Sequence, residues 1–133
     1  KDPNDYKFYE QVYISEKNAK GEWSVPVPIS QRINRPGIHQ ATVSLSVDGQ
    51  QLLLYSCFEE PNGNIYYSKL ENGVWSKPTN LGPKFNSVND DTHFRYYPDL
   101  KIATWASMAD KDGFFSYDLF QADLKSLNLE FQK

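Results

Sequence analysis

Asp90-Asp91, His93 and Arg95 fall within six residues of one another. Two carboxylates beside a histidine and a guanidinium can bind a cation, hold a sugar, or share acid–base work on a glycosidic bond. The competing reading is a solvated loop in which an aspartate caps a turn. The second reading is the expectation, because the matching earlier segment, Ile38-His39-Gln40, carries no carboxylate. His39 and His93 occupy nearly equivalent places along the chain, but two histidines without a third placed ligand do not define a zinc site. Asp110-Lys111-Asp112-Gly113 opens like a calcium loop and lacks the later bidentate glutamate, so it reads as a hairpin turn. Trp23, Trp75 and Trp105 invite sugar stacking. Cys57 is the only cysteine, which leaves no disulfide and no cysteine zinc site, and it reads as a small buried apolar group. No phosphate-binding glycine loop, G-x-S-x-G elbow or H-E-x-x-H pair is present, and no cofactor is expected.

These residues need a scaffold, and the composition says which kind. The chain has 133 residues, 15% of them aromatic and 23% charged, with a net charge of −3. That is enough apolar material for one packed domain. A slightly acidic chain without a run of like charges argues against a nucleic-acid face and against electrostatic membrane contact. The longest apolar stretches, such as Leu52-Leu53-Leu54-Tyr55, are too short to span a bilayer as a helix. The chain starts Lys1-Asp2 without a signal-like segment, which reads as an excised or processed piece. Helix periodicity is nearly absent. Short runs rich in Tyr, Val, Ile, Phe and Thr predict strands over 11–15, 41–45, 51–57, 64–70, 92–96, 101–107 and 117–124. Asp48-Gly49 and Asn72-Gly73 lie between such runs and predict tight hairpin turns.

An internal repeat organises the runs. Gly21-Glu22-Trp23-Ser24-Val25-Pro26 returns as Gly73-Val74-Trp75-Ser76-Lys77-Pro78, 52 residues on. The tail Ile29–Asn34 is matched by Leu81–Asn86, with Ile33-Asn34 answered by Phe85-Asn86. Val12-Tyr13, Ile65-Tyr66 and Leu119-Phe120 form a second series, and the turns at Asp48 and Asp99 a third. Trp23 and Trp75 recur in register, as packing between sheets requires. Four antiparallel strands in about fifty residues is the size of one propeller blade. Pro26 and Pro78 suit an outermost strand, where a missing N–H costs least.

At these residues the sequence resembles the TolB-like (PD40, WD40-like) β-propeller repeat. Asp48-Gly49, then Leu52–Ser56, then Asn64-Ile65-Tyr66-Tyr67-Ser68-Lys69-Leu70, then Gly73–Pro78 follow its order. The turn reads Ser46-Val47-Asp48-Gly49-Gln50 in one copy and Tyr97-Pro98-Asp99-Leu100-Lys101 in the other, so each departs from the family's S-P-D-G-K differently. The W-S-x-P version is most similar to propellers of envelope proteins of Bacteroidota, some with an OmpA-like peptidoglycan-binding domain and some in type IX secretion and gliding machinery. The resemblance covers residues 11–124. It implies an all-β partial propeller of about two and a half four-stranded antiparallel blades: a remnant over 6–34, a full blade over 41–86 and a further blade over 92–132. Leu127–Gln132 would be a fourth strand of the last. Propellers close with about four to eight blades, so the chain is expected to be part of a larger ring. The implied role is a non-enzymatic protein-interaction platform in the periplasm, associated with the outer membrane, whose partners are envelope proteins or the rest of its own propeller. Candidate contact residues are Arg32, Arg35, His39, Asp90, Asp91, His93 and Arg95. The alternative is a glycan-binding or glycan-cleaving propeller that uses Asp90 or Asp91 with His93. A weaker third reading is a propeller cap over a peptidase.

Overall fold

The computed structural model describes residues 1–3, 6–58, 63–97, 100–108 and 117–123. The proposed fourth strand Leu127–Gln132 and the Asp110–Gly113 turn lie outside these residues. The described chain is all-β, with antiparallel strands and no helix. The strands are β1 (Tyr13–Ile14), β2 (Val27–Pro28), β3 (Gln40–Leu45), β4 (Gln51–Ser56), β5 (Asn64–Glu71), β6 (Val74–Trp75), β7 (Thr79–Asn80), β8 (Asp91–Tyr97), β9 (Ile102–Ser107) and β10 (Asp118–Asp123). They form three sheets: β1-β2, then β3-β4-β5-β6 with β7 also on β5, then β8-β9-β10.

Turn chemistry sets the hairpins. Asn72 and Gly73 both have positive φ (51° and 77°), the pair of left-handed residues that a two-residue turn between twisted strands requires. At the β3–β4 turn the Ser46 hydroxyl donates to Asp48 Oδ1 at 2.5 Å, and the same oxygen accepts the Gln50 N–H at 3.0 Å. The expected fourth strand differs from its prediction. It is split into β6 and β7, both paired with β5: Ser76 still donates its N–H to the Lys69 carbonyl at 2.7 Å, and the break falls at Lys77-Pro78. Proline has no N–H to give a ladder.

The sequence repeat is also a repeat of geometry. Asn34 accepts the Val12 N–H and donates to the Val12 carbonyl, both at 2.8 Å. Asn86 does the same to Ile65, again at 2.8 Å in each direction. Ser15 Oγ donates to the Ser24 carbonyl at 2.6 Å, and Ser68 Oγ to the Ser76 carbonyl at 2.8 Å. The Lys17–Trp23 bridge answers the Leu70–Trp75 pair. The first strands of the second and third sheets carry the same bulge, after Thr42 and after Thr92.

Packing runs through the middle sheet. Leu52, Leu53 and Leu54 are consecutive and all buried, which a strand achieves only when both its faces are covered. On one side Leu52, Leu54, Tyr66 and Trp75 meet Val12 and Ile33 of the first unit. On the other, Leu53, Ile65 and Phe85 meet Phe94, Ala103 and Trp105 of the third. Each fully buried apolar side chain contributes about 1.5–3 kcal/mol. The two contacts use corresponding positions: Val12 answers Ile65, Ile33 answers Phe85, and Leu54 answers Trp105. The tryptophans expected to pack do so at Trp75 and Trp105, which are 6% and 7% exposed, whereas Trp23 is 66% exposed.

Candidate functional site

The candidate residues follow the strand starts. Asp90 and Asp91 sit at the entry of β8, and His39 and Gln40 at the entry of β3. Gln40 pairs with Ser56 and Asp91 with Ser107, so Gln40 corresponds to Asp91 and His39 to Asp90. His39 and His93 are therefore not equivalent, contrary to expectation. His39 precedes its strand, whereas His93 lies on the bulge of β8 with φ of 52°. The sequence misleads because the first-strand elements repeat with a shorter step than the others.

The two aspartates act on the backbone. Asp90 Oδ1 accepts the Gly63 N–H at 2.6 Å. The neighbouring Asp91 N–H donates to the Gly63 carbonyl at 2.9 Å. One unit earlier, at the entry of β3, His39 Nδ1 accepts the Glu10 N–H at 3.3 Å, and the Gln40 N–H donates to the Glu10 carbonyl at 3.0 Å. A carboxylate and an imidazole thus do one job, tying the entry of β8 or β3 to the chain leading into β5 or β1 of the preceding unit. His39 Nε2 faces the Asp2 carboxylate at 3.4 Å, and Nδ1 lies 3.7 Å from the Glu10 carboxylate. The Asp91 side chain is fully buried and Oδ2 accepts the Ser87 N–H, as Gln40 Oε1 accepts the Arg35 N–H at 3.0 Å. Among the described residues Asp91 Oδ1 has no hydrogen-bond partner.

The remaining candidates diverge. His93 and Arg95 are exposed while Asp91 is buried, so the strand does not bring the histidine and both carboxylates to one surface. Arg35 lays its guanidinium over Phe58, 4.6 Å from the ring centre. Arg32 reaches from the first unit to the Trp75 carbonyl at 3.5 Å and so spans two sheets. No group of three or more His, Cys, Asp or Glu among the described residues could hold a metal ion.

Sequence reasoning missed the groups gathered around Asp90. Burial pushes the Tyr55 hydroxyl well above its usual range, with Cys57 and Asp90 adding to the effect. Burial also raises the Cys57 thiol; a hydrogen bond from Tyr55 opposes the rise, and the negative charges of Asp90 and Glu10 add to it. A thiol held protonated is a poor nucleophile. Gly63 lies under the Tyr55 ring, and a Cβ there would fall inside that ring. Only contact between three chain segments creates this cluster, and no local motif announces it.

A cleft of about 630 Å3 opens between β1 and the β3–β4 turn. Its lining mixes Val12, Ile29, Leu52 and Trp75 with the carboxylates of Glu16 and Asp48. No helix among the described residues is long and apolar enough to cross a membrane. Comparison with protein-family models, with curated proteins and with solved structures gives no match.

Proposed function

We propose that the three sheets are successive blades of a β-propeller of the TolB-like type, which this chain supplies in part. In this reading it serves as a rigid, non-enzymatic platform for protein partners in a bacterial envelope assembly, at the periplasmic side of the outer membrane. One observation carries the reading: the middle sheet is covered on both faces by neighbouring units through corresponding residues. Head-to-tail stacking of four-stranded sheets is how a propeller is built. A stiff stack presents its connecting loops as a fixed surface, and such loops carry contact specificity. Arg32, Arg35, His39 and Asp90 are the loop positions of this proposed surface; Asp91, His93 and Arg95 lie on β8 instead, with Asp91 buried. Of these, His93 and Arg95 are exposed on β8 and are the first to substitute.

The glycan reading is less well supported, because Asp90 and Asp91 are engaged by the Gly63 and Ser87 N–H groups and Asp91 is buried. The test compares the 133-residue chain with His93→Ala and Arg95→Ala. Cross-linking of envelope proteins that these variants weaken supports the platform. Glycan-array binding or glycoside hydrolysis that His93→Ala abolishes would replace the platform with the glycan reading.

A further inference from the structure

We infer that Asp91 is a ligand of a calcium ion seated in the loop that leads into β8. The inference goes beyond the platform reading and does not depend on it. It starts from the two strand entries. Gln40 and Asp91 are corresponding residues, both fully buried, each paired with a buried serine. Gln40 Oε1 accepts the Arg35 N–H at 3.0 Å, while its Nε2 donates to the Arg35 carbonyl at 3.3 Å and to the Ile38 carbonyl. Both ends of that amide are therefore used. Asp91 Oδ2 accepts the Ser87 N–H, which answers the Arg35 N–H because each follows its unit's clamp asparagine. Asp91 Oδ1 is then the counterpart of Gln40 Nε2. It is an acceptor where the earlier unit has a donor, and it has no hydrogen-bond partner.

Charge makes the mismatch larger. The Ser87 N–H that meets the Asp91 carboxylate is neutral, and among the described residues no Lys, Arg or His pairs with it. Asp90 adds a second carboxylate next door, whose Oδ1 also meets a neutral N–H, that of Gly63. A buried carboxylate is paired with an opposite charge or coordinates a metal. The carbonyls that correspond to those taken by Gln40 are Ser87 and Asn89, so the donors at hand are carboxylate and main-chain oxygens. That set is hard and oxygen-only, and calcium accepts it in irregular geometry. Magnesium would keep several of its own waters, and zinc prefers nitrogen and sulfur. No cluster of three His, Cys, Asp or Glu side chains is required.

Calorimetric titration of calcium chloride into the metal-free 133-residue chain tests it, alongside urea unfolding in calcium and in chelator at matched ionic strength. So few charged ligands predict a Kd of about 0.1–1 mM. About 10 mM calcium should then lower the unfolding constant by about 10- to 100-fold. Asp91→Asn puts an amide donor where Gln40 has one. It should be at least as stable as wild type in chelator and indifferent to calcium. Glu22→Gln removes an exposed carboxylate elsewhere and should keep the full response. Wild type that takes up no calcium overturns the inference and leaves Oδ1 to a buried water. A calcium response that Asp91→Asn retains also overturns it, and puts the ion on other carboxylates. So does Asp91→Asn that is less stable than wild type in chelator or fails to fold, because the position would then not call for a donor.

Discussion

The first and middle units carry the same Trp-Ser element and the same Asn clamp, yet they hold them in different surroundings. In the middle unit Trp75 is buried between sheets, and the Ser68–Ser76 bond joins strands that lie inside a five-stranded sheet. In the first unit the matching Ser15–Ser24 bond forms, the matching Lys17–Trp23 bridge forms, and Trp23 faces solvent. Local hydrogen bonding therefore does not depend on the neighbour, while burial does. The strand pair is specified by its own sequence, and the energy that fixes it comes from whatever stands opposite.

Substituting the two tryptophans breaks the comparison most sharply. Trp75→Ala removes a buried indole from the contact with Val12 and Ile33, and it should destabilise the chain by about 3–5 kcal/mol. Trp23→Ala removes an exposed ring whose partner is the Lys17 ammonium, and it should cost less than about 1 kcal/mol. Urea denaturation measures both. Equal losses would mean that the two indoles are packed alike.

The Asn clamps come next. Asn86→Ala leaves the N–H of buried Ile65 without its partner, while the Ile65 carbonyl still accepts the Leu81 N–H at 3.1 Å, so the expected loss is about 1–3 kcal/mol. Asn34→Ala strips Val12 in the same way, but β1 pairs only with β2 among the described strands, and water can replace part of the loss. Its cost should be smaller, about 1–2 kcal/mol. Chemical denaturation of the two variants in parallel checks the order, and a larger loss at Asn34 reverses it.

Much of this fold was legible in the sequence, and the reasons are local. The strands over 40–45, 51–56, 64–71, 91–97 and 102–107 lie within a residue or so of their prediction, because Asp-Gly and Asn-Gly turns and β-branched runs mark them. The two-residue strands β2, β6 and β7 are too short to show alternation. Ile33-Asn34 and Phe85-Asn86 stood out as a repeated pair, but their amide clamp could be found only in space. The candidate site was the least legible part. Asp90 with His93 looks like an acid–base pair in one dimension, yet Asp90 shares its backbone role with His39, and side-chain type alone gives no sign of that equivalence.

Gly63 sharpens the comparison from the opposite direction. Tyr55 of β4 covers it, so Gly63→Ala forces a methyl into the ring, with an expected loss of about 1–3 kcal/mol. The corresponding position in the first unit is Glu10, which carries a full side chain; among the described residues no strand equivalent to β4 lies against it there. Glu10→Ala should therefore change stability by less than about 0.5 kcal/mol. Thermal unfolding of both variants separates the cases. A benign Gly63→Ala together with a costly Glu10→Ala would place the crowding in the first unit.

The smallest effect is silent at neutral pH. Burial pushes the Tyr67 hydroxyl up to about 12, with the negative charges of Glu71 and Asp48 adding to the shift. Tyr55 moves in the same direction, again chiefly through burial. In the unfolded chain a tyrosine ionises near 10. A folded-state value above the unfolded one means that the native state keeps a proton the unfolded chain gives up. The stabilisation is thus fully present below about pH 10 and declines as pH rises from there through the folded value. Tyrosinate absorbance and far-UV circular dichroism, followed together through this range, should show these two rings ionising last, as the sheet is lost. Tyr67→Phe, which keeps the ring and removes the titrating hydroxyl, should shift the alkaline unfolding midpoint upward by a few tenths of a unit. An unchanged midpoint would mean that the middle sheet's second face opens before its tyrosines ionise. Its cover from the third unit would then be looser than its cover from the first.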